Sequence, residues 1–248
     1  MTHKYTPLSK APITEALIDI RVKPKKGIEV EQLDSIYALI SDQYPNRQIL
    51  RRLESRIEFK QEESTVSPGA DTINGYVYTS SDQIQVVQAR PDGLTFSRLK
   101  PYETWERFRA EAYRLWEMYA GITSPELITR VALRYVNTLN IPLPIKDFSD
   151  YLTSPPVVPP ALPQGVSSFL TRVVIHESSL DAVAIITQAL EQIVDPNFAP
   201  IILDIDVFKQ SQIGMTKEDA WDVLEKLRHL KNKIFFESIT GKLKELLI

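Results

Sequence analysis

The chain contains no cysteine, and this absence excludes disulfide bridges, thiol nucleophiles and cysteine-ligated zinc. Glycine is also scarce, at 8 of 248 residues, and no stretch has the spacing of a phosphate-binding loop or a dinucleotide fingerprint. The 3 histidines, His3, His176 and His229, are not paired at the spacing of metal ligands. The commonest catalytic motifs are therefore missing from this sequence.

Neither charge nor hydrophobicity directs the chain to nucleic acid or to a membrane. The formal net charge is −3, which provides no general attraction for polyanions, so nucleic acid is not expected as a partner. No apolar run approaches the roughly 18 residues needed to span a bilayer. The first residues lack the basic and apolar segments of a signal peptide. The absence of cysteine is compatible with a reducing cytoplasm, and we expect a cytoplasmic protein without a membrane partner.

The stretch from residue 92 to residue 137 is the most informative. It contains a hairpin turn at Asp92-Gly93, a strand, a long helix and a second strand. The helix has an apolar stripe at spacings of three and four residues, formed by Trp105, Phe108, Ala112, Leu115, Trp116 and Tyr119. A stripe so rich in aromatic rings needs a broad apolar surface, which predicts that the helix packs on a sheet.

The rest of the chain also consists of predicted strands interrupted by helices. Strands are predicted at residues 12–23, 48–60, 76–80, 83–89, 94–99, 127–139, 166–176, 181–190 and 200–208. Helices are predicted at residues 29–43 and from Thr216 onward, where Thr216 and Asp219 form a capping pattern. A polar loop is predicted at 61–72, and one face of the strand at 48–60 is highly charged. Residues 153–165 contain five prolines and predict an extended strap.

The two halves of the sequence repeat one order of elements: a strand, a helix, further strands and a long helix. Trp105 and Trp221 lie at similar points near the start of their long helices. We therefore predict an α+β protein with an internal duplication, in which two similar halves of antiparallel sheet carry the long helices on one face. The predicted halves are residues 1–122 and 123–248, and they share one core.

The end of the last helix offers more apolar surface than one stripe can bury. Phe235 and Phe236 point about 100° apart around the helix axis. One of these rings, or the tail at residues 239–247, is therefore predicted to pack across the other half or against another subunit.

Several segments resemble a sporadically distributed family of uncharacterised bacterial proteins. The resemblance is carried by PITEAL, DGLTFSRLKPYETWERFRAEAYRLW, ITRVALRYVN, ILDIDVF and LRHLKNKIFFESIT, and it spans nearly the whole chain. It implies no assigned activity and no catalytic residues. Sporadic occurrence is typical of mobile genes, including those of defence and toxin–antitoxin loci.

One group of charged residues is a candidate site. Arg130 and Arg134 share a face of the strand at 127–139, and both faces of this strand are otherwise apolar. Buried arginines need acidic partners. Two other strands offer carboxylates in the same alternation, namely Glu15, Asp19, Asp204 and Asp206. Arg21 and Arg172 could join the same network.

This group of residues has three interpretations. It could be a salt-bridge network that fixes the register of the strands. It could instead be the polar floor of a pocket that binds a small anionic or zwitterionic ligand. Alternatively, Asp204 and Asp206, about 7 Å apart on one face of a strand, could bind Mg²⁺ together with Glu15.

The function predicted from sequence is that of a non-enzymatic binding or regulatory protein, antitoxin-like or defence-associated. Its expected partner is another protein or a second copy of the chain, as in a dimer. No catalytic residue, metal or cofactor is assigned. The alternative is a small-molecule or metal-assisted hydrolase, such as a phosphoesterase, that uses the pocket of carboxylates and arginines. A closed polar pocket into which the arginines open would favour a bound ligand, and an exposed apolar patch would favour a protein partner.

Overall fold

The computed structural model describes residues 5, 8–60 and 63–248, and for residues 52–60 and 63–71 it describes the strand backbone alone. Nine strands occur in this part of the chain. They are β1 (Ile13–Lys23), β2 (Asn46–Lys60), β3 (Glu63–Thr79), β4 (Gln85–Arg90), β5 (Gly93–Leu99), β6 (Leu127–Pro142), β7 (Leu170–Glu177), β8 (Ala182–Leu190) and β9 (Phe198–Met215).

All nine strands join one antiparallel sheet in the order β2-β3-β4-β5-β1-β6-β9-β8-β7. Strand β1 lies between β5 and β6, and Ile18 faces Phe96 on one side and Leu133 on the other. After β1 the chain crosses to the edge strand β2 and returns inward as a meander to β5, and after β6 it crosses to the edge strand β7 and returns inward to β9. The prediction of an α+β protein with an antiparallel sheet is therefore confirmed.

The α-helices are α1 (Ser35–Ile40), α2 (Trp105–Thr123), α3 (Lys217–Ser238) and α4 (Gly241–Leu246). Helix α2 begins after Thr104, whose side chain accepts a hydrogen bond from the backbone N–H of Arg107. Helix α3 begins after Thr216, whose hydroxyl accepts from the N–H of Asp219 at 3.1 Å, so the predicted cap is confirmed. Among the described residues, no helix combines the length and the apolarity needed to cross a membrane.

The apolar stripe of α2 lies in the core, as its spacing predicts. Trp105, Phe108, Leu115 and Trp116 are 5%, 2%, 1% and 2% exposed. The ring of Phe108 lies 5.2 Å from that of Phe96 on β5, which places α2 directly on the sheet.

The helix predicted at residues 29–43 is interrupted. A 3-10 helix covers Val30–Asp34, and α1 follows at Ser35–Ile40. The carbonyl of Leu33 accepts a buried hydrogen bond from the Tyr78 hydroxyl at 2.9 Å. This buried bond ties the turn at Leu33 to β3.

The polar loop predicted at residues 61–72 is wrong from Glu63 onward, because β3 begins there and pairs with β2. Main-chain hydrogen bonds hold this pair, and they need no apolar alternation. The predicted charged face of the strand at 48–60 lies, from Arg52 onward, outside the described side chains. Strand β9 also extends beyond its predicted end, to Met215, and β7 begins at Leu170 rather than at residue 166.

Gly93 allows β5 to pair with β1 from its first residue, directly after the hairpin turn. Its φ is +154°, and a Cβ at this position would lie 2.2 Å from the Ile20 carbonyl oxygen. No side chain fits in that space, so glycine is required there.

The tail of the chain packs on residues near its beginning. The ring of Phe236 stacks on Tyr5 at 4.4 Å, and the N–H of Lys10 donates to the Leu247 carbonyl at 3.0 Å. Phe235 is itself buried. The prediction that one phenylalanine or the tail packs across the other half is confirmed.

The position of Trp116 generates a test of the core. Replacing Trp116 with alanine is expected to lower the free energy of unfolding by about 3–5 kcal/mol, because it leaves a cavity under α2. The control is Arg107→Ala on the exposed side of the same helix, which is expected to cost about 0.5 kcal/mol or less. Urea denaturation measures both, and similar losses for the two variants would contradict the packing.

Candidate functional site

Asp19 on β1 is the centre of the predicted ionic group. Its Oδ2 accepts hydrogen bonds from Arg130 Nη1 at 2.9 Å and from Arg21 Nε at 3.0 Å. Its Oδ1 accepts from Arg90 Nη2 at 3.0 Å and from Thr95 Oγ1 at 2.6 Å. We call these five residues the arginine cluster. One carboxylate thus receives bonds from three guanidinium groups and a hydroxyl.

Strand register assembles this cluster. Asp19 lies opposite Thr95 on β5 and opposite Ala132 on β6, whose small side chain leaves room for longer neighbours. Arg21 lies opposite Arg130 on β6 and opposite Gly93 on β5, and a Cβ on Gly93 would come within 3.1 Å of the Arg21 side chain. The cluster therefore depends on two small residues as well as on its charges.

The cluster holds Asp19 in its ionised form. Burial by itself would raise the pKa of the Asp19 carboxyl, but the hydrogen bond from Thr95 and the charges of Arg21 and Arg90 outweigh it, so this pKa is lowered. Asp19 and Arg90 are each only 6% exposed. A buried charge with several good partners, as here, stabilises the register of the strands that supply them.

Arg134 forms a separate pair with Asp204 on the same face of the sheet. Arg134 Nε and Nη2 donate to the two carboxylate oxygens of Asp204 at 2.9 and 2.7 Å. These bonds raise the pKa of Arg134, and Asp206 and Glu15 contribute to the rise from a greater distance. The Arg134 side chain is 45% exposed, so water weakens this pair.

The other residues predicted for this site form a long ion pair or none among the described residues. Asp206 lies 3.8 Å from Arg130, and burial raises the pKa of the Asp206 carboxyl. Among the described residues Glu15 forms no ion pair. Arg172 is exposed and joins none of the ion pairs of the described part of the chain.

The Mg²⁺ interpretation of Glu15, Asp204 and Asp206 is not supported by this geometry. Arg134 occupies both carboxylate oxygens of Asp204. In the part of the chain that the structure describes, no group of three or more histidine, aspartate or glutamate side chains is spaced to hold a metal ion.

A second polar site lies on the opposite face of β6. It is a cavity of about 380 Å³ between the first described residues, the segment that enters α2, β6 and α3. We call it the lysine pocket, and five of its lining residues define it, namely Tyr102, Trp105, Tyr135, Arg228 and Lys231. None of the six residues predicted as a site lines this cavity.

Lys231 on α3 is the unusual residue of the pocket. It is 8% exposed, and its Nζ lies 3.8 Å from the centre of the Tyr135 ring. Within the described structure it forms no hydrogen bond and no ion pair. Burial, followed by the charge of Arg228, lowers the pKa of the Lys231 ammonium to about 7. Near neutral pH, the uncharged amine is therefore far more populated at this position than in an ordinary lysine.

Two tyrosines complete the polar wall of the pocket. The hydroxyl oxygens of Tyr102 and Tyr135 lie 2.8 Å apart and share a hydrogen bond. Burial raises the pKa of Tyr102 to about 12 and raises that of Tyr135 well above its usual value, so both hydroxyls keep their protons. Their mutual bond uses one of the two protons, which leaves one hydroxyl free to donate.

Arg228 supplies a further cation whose partners are distant. Its closest carboxylate contacts are with Glu225 at 3.6 Å and with Glu106 at 3.8 Å, both beyond hydrogen-bond length. Its guanidinium lies 5.4 Å from the centre of the Trp105 ring. The pocket thus has two cations, and neither donates a hydrogen bond to a described side chain.

The sequence contains a signal for Lys231, although its position was not predicted as part of a site. Leu224, Leu227, Lys231 and Ile234 follow one another at spacings of three and four, so a lysine occupies a position of the apolar stripe. A charged residue at such a position is buried unless its side chain reaches water.

Comparison with known proteins gave neither a matching family model nor a matching curated sequence. The function of this chain must therefore be argued from the geometry of its sites.

The arginine cluster generates a test of stability. Replacing Asp19 with asparagine is expected to lower the free energy of unfolding by about 3–5 kcal/mol, because three arginines lose the carboxylate that they share. The control is Asp204→Asn, which removes the partly exposed pair with Arg134 and should cost about 1 kcal/mol. Urea denaturation compares the two, and an equal loss would show that the cluster is not the stronger constraint.

The lysine pocket generates a test of pH dependence. The unfolded chain keeps the Lys231 proton up to about pH 10.4, whereas the folded chain loses it near pH 7. Folding of the wild type should thus become more favourable by about 1.4 kcal/mol for each pH unit in this window. Lys231→Met has no titrating group at this position and lacks this slope. The variant should be more stable than the wild type at neutral pH, and this difference in the free energy of unfolding should shrink as the pH rises.

Urea denaturation of the two proteins at about pH 7, 8 and 9 measures this difference. Lys233→Met, on the exposed side of α3, is the matched control and should differ from the wild type by a constant amount. A constant difference for Lys231→Met as well would mean that Lys231 is not desolvated.

Proposed function

We propose that this chain is a binding protein whose lysine pocket takes a small molecule with an anionic group. The observation that carries this proposal is Lys231, a buried cation with no acidic partner among the described residues. A desolvated ammonium lowers the stability of the fold unless something neutralises it. An anionic ligand would do so in the bound state.

The charge balance of the pocket supports an anion rather than a cation. Glu103 also lines the cavity, but Arg98 and Arg107 each lie 2.6 Å from its carboxylate oxygens. Glu106 is largely exposed, and Arg228 is its only ion-pair partner among the described residues. The charge that remains without a hydrogen-bonded partner is therefore positive, and it belongs to Arg228 and to Lys231 in its protonated form.

The size and the walls of the cavity support a ligand of metabolite size. A volume of about 380 Å³ lies near the lower end of the range for small-molecule sites. Trp105, Phe235 and Phe236 provide apolar walls beside the cations and the tyrosine hydroxyls. Apolar walls beside placed polar groups can fix the orientation of a small ligand.

This proposal keeps the predicted class of a non-enzymatic binding or regulatory protein and moves its site from the arginine face to the lysine pocket. The carboxylates of the hydrolase alternative, Asp19 and Asp204, are engaged by arginines, and no observation favours that alternative. The antitoxin-like or defence-associated role, the protein or self partner, the cytoplasmic location and the family resemblance stay predictions.

We also propose that the two halves, residues 1–122 and 123–248, arose by internal duplication and carry their long helices on one face of the sheet. In each half the first strand lies at the centre, and the last strand of that half pairs with it. Phe108 on α2 and Lys231 on α3 both contact the ring of Tyr135, which supports the placement of both helices on the same side.

Thermal shift measurements with a panel of small carboxylates and phosphate monoesters test the binding proposal. A ligand at about 100 times its Kd should stabilise the wild type by about 2.7 kcal/mol. Lys231→Met and Arg228→Met should lose this stabilisation, each compared with its own ligand-free protein.

The matched control is Arg134→Met, which removes an arginine from the opposite face of β6 and should keep the ligand response. If Arg134→Met lost the response and the two pocket variants kept it, the ligand would bind on the arginine face and the proposal would be wrong. The absence of stabilisation by every member of the panel would also count against it.

A further inference from the structure

We infer that Lys231 captures its ligand covalently, and that this ligand is a small 2-oxo acid whose carbonyl carbon forms an imine with Lys231 Nζ. The inference rests on the proposed function, since it assigns the anionic group of the ligand to Arg228. It adds a chemical step and a substrate class to a binding site.

The environment of the amine supports nucleophilic attack. A lysine on the surface is protonated at neutral pH and has no lone pair to offer, whereas desolvation beside another cation is a recognised way to release one. Both conditions are met, because Lys231 is buried and Arg228 lies one helical turn before it. Since no described carboxylate contacts Lys231, no acidic side chain holds the proton on Nζ.

The two tyrosines provide the proton that the carbonyl oxygen needs. Attack of nitrogen on a carbonyl places negative charge on that oxygen, and a hydroxyl donor within reach stabilises it. Tyr102 and Tyr135 are both protonated at neutral pH, and their mutual hydrogen bond leaves one hydroxyl proton free. The same pocket is therefore lined by a nucleophile and a hydroxyl donor.

The step balances without a further reactant. The Nζ lone pair forms a bond to the carbonyl carbon while the carbon–oxygen double bond opens, and a tyrosine hydroxyl gives its proton to the oxygen. One of the two Nζ protons then passes to the tyrosine oxygen, which restores its hydroxyl. The resulting carbinolamine loses its hydroxyl group together with the remaining nitrogen proton as one molecule of water. The products are an imine and water, and nothing is oxidised or reduced.

The spacing of the two cations favours a 2-oxo acid over a simple aldehyde. Arg228 and Lys231 lie three residues apart on α3, so their side chains are neighbours on one surface of the helix. In a 2-oxo acid the carboxylate is bonded directly to the carbonyl carbon. A guanidinium and an amine in adjacent positions can therefore engage both groups of one molecule, with the guanidinium binding the carboxylate.

Reductive trapping tests the inference. The full chain is incubated at neutral pH with pyruvate or phenylpyruvate, treated with sodium borohydride and mapped by peptide mass spectrometry. The expected result is a reduced adduct on Lys231, formed at least about tenfold faster than on exposed Lys233, because about 0.1% of an ordinary lysine is uncharged near pH 7.5. Lys231→Met should show no adduct at that position.

Lactate and phenyllactate separate this inference from the binding proposal, because they carry the carboxylate but cannot form an imine. If they stabilise the protein through Arg228 and Lys231 while borohydride traps nothing on Lys231, the covalent step is wrong and the binding proposal stands. Adducts spread evenly over exposed lysines would also overturn the covalent step. If neither the oxo acids nor the hydroxy acids bind, both proposals fail for this class of ligand.

Discussion

The alternation of side chains along β6 is the constraint on which both polar sites depend. This strand pairs with β1 on one side and with β9 on the other, so neither face can rotate without breaking two ladders of hydrogen bonds. Arg130 and Arg134 project from one face, and Tyr135 and Asn137 project from the other. The arginine cluster and the lysine pocket therefore lie back to back, and the register that aligns one also positions the wall of the other.

The two sites differ in how fully their charges are compensated. Each carboxylate oxygen of Asp19 accepts two hydrogen bonds. The arginine cluster therefore has little capacity left to bind a ligand. Lys231 is buried, and in the described part of the chain its Nζ contacts the Tyr135 ring but has no hydrogen-bond or ion-pair partner. Proteins retain uncompensated buried groups mainly where function requires them, because they lower stability. This contrast is the physical ground for proposing a ligand site in the pocket rather than at the arginine cluster.

The sequence predicted what depends on periodicity and missed what depends on contacts across the fold. The stripe of α2 and the partnership of Arg130 with Asp19 follow from spacing and from the need of a buried cation for an anion. The hydrogen bond from Arg90 to Asp19 could not be predicted, because the two residues lie on β4 and β1, which are far apart in the sequence. Strand β3 has no apolar alternation over its first residues, and Lys231 was hidden within an apolar stripe. The first residues of β3 are held by main-chain pairing with the adjacent β2, which leaves no apolar pattern, and the ring that contacts Lys231 belongs to Tyr135, far away in the sequence.

The position of β1 in the strand order also determines when the molecule can fold. Ile18 of β1 lies opposite Leu133 of β6, and every strand and helix of the first half lies between them in the chain. During synthesis, β5 is complete before β6 is made, so one edge of β1 stays unpaired until β6 has been synthesised. Contacts this distant in sequence form slowly, because a long loop must close first. The full stability of the sheet therefore depends on the pairing of β1 with β6, which joins residues 1–122 to residues 123–248.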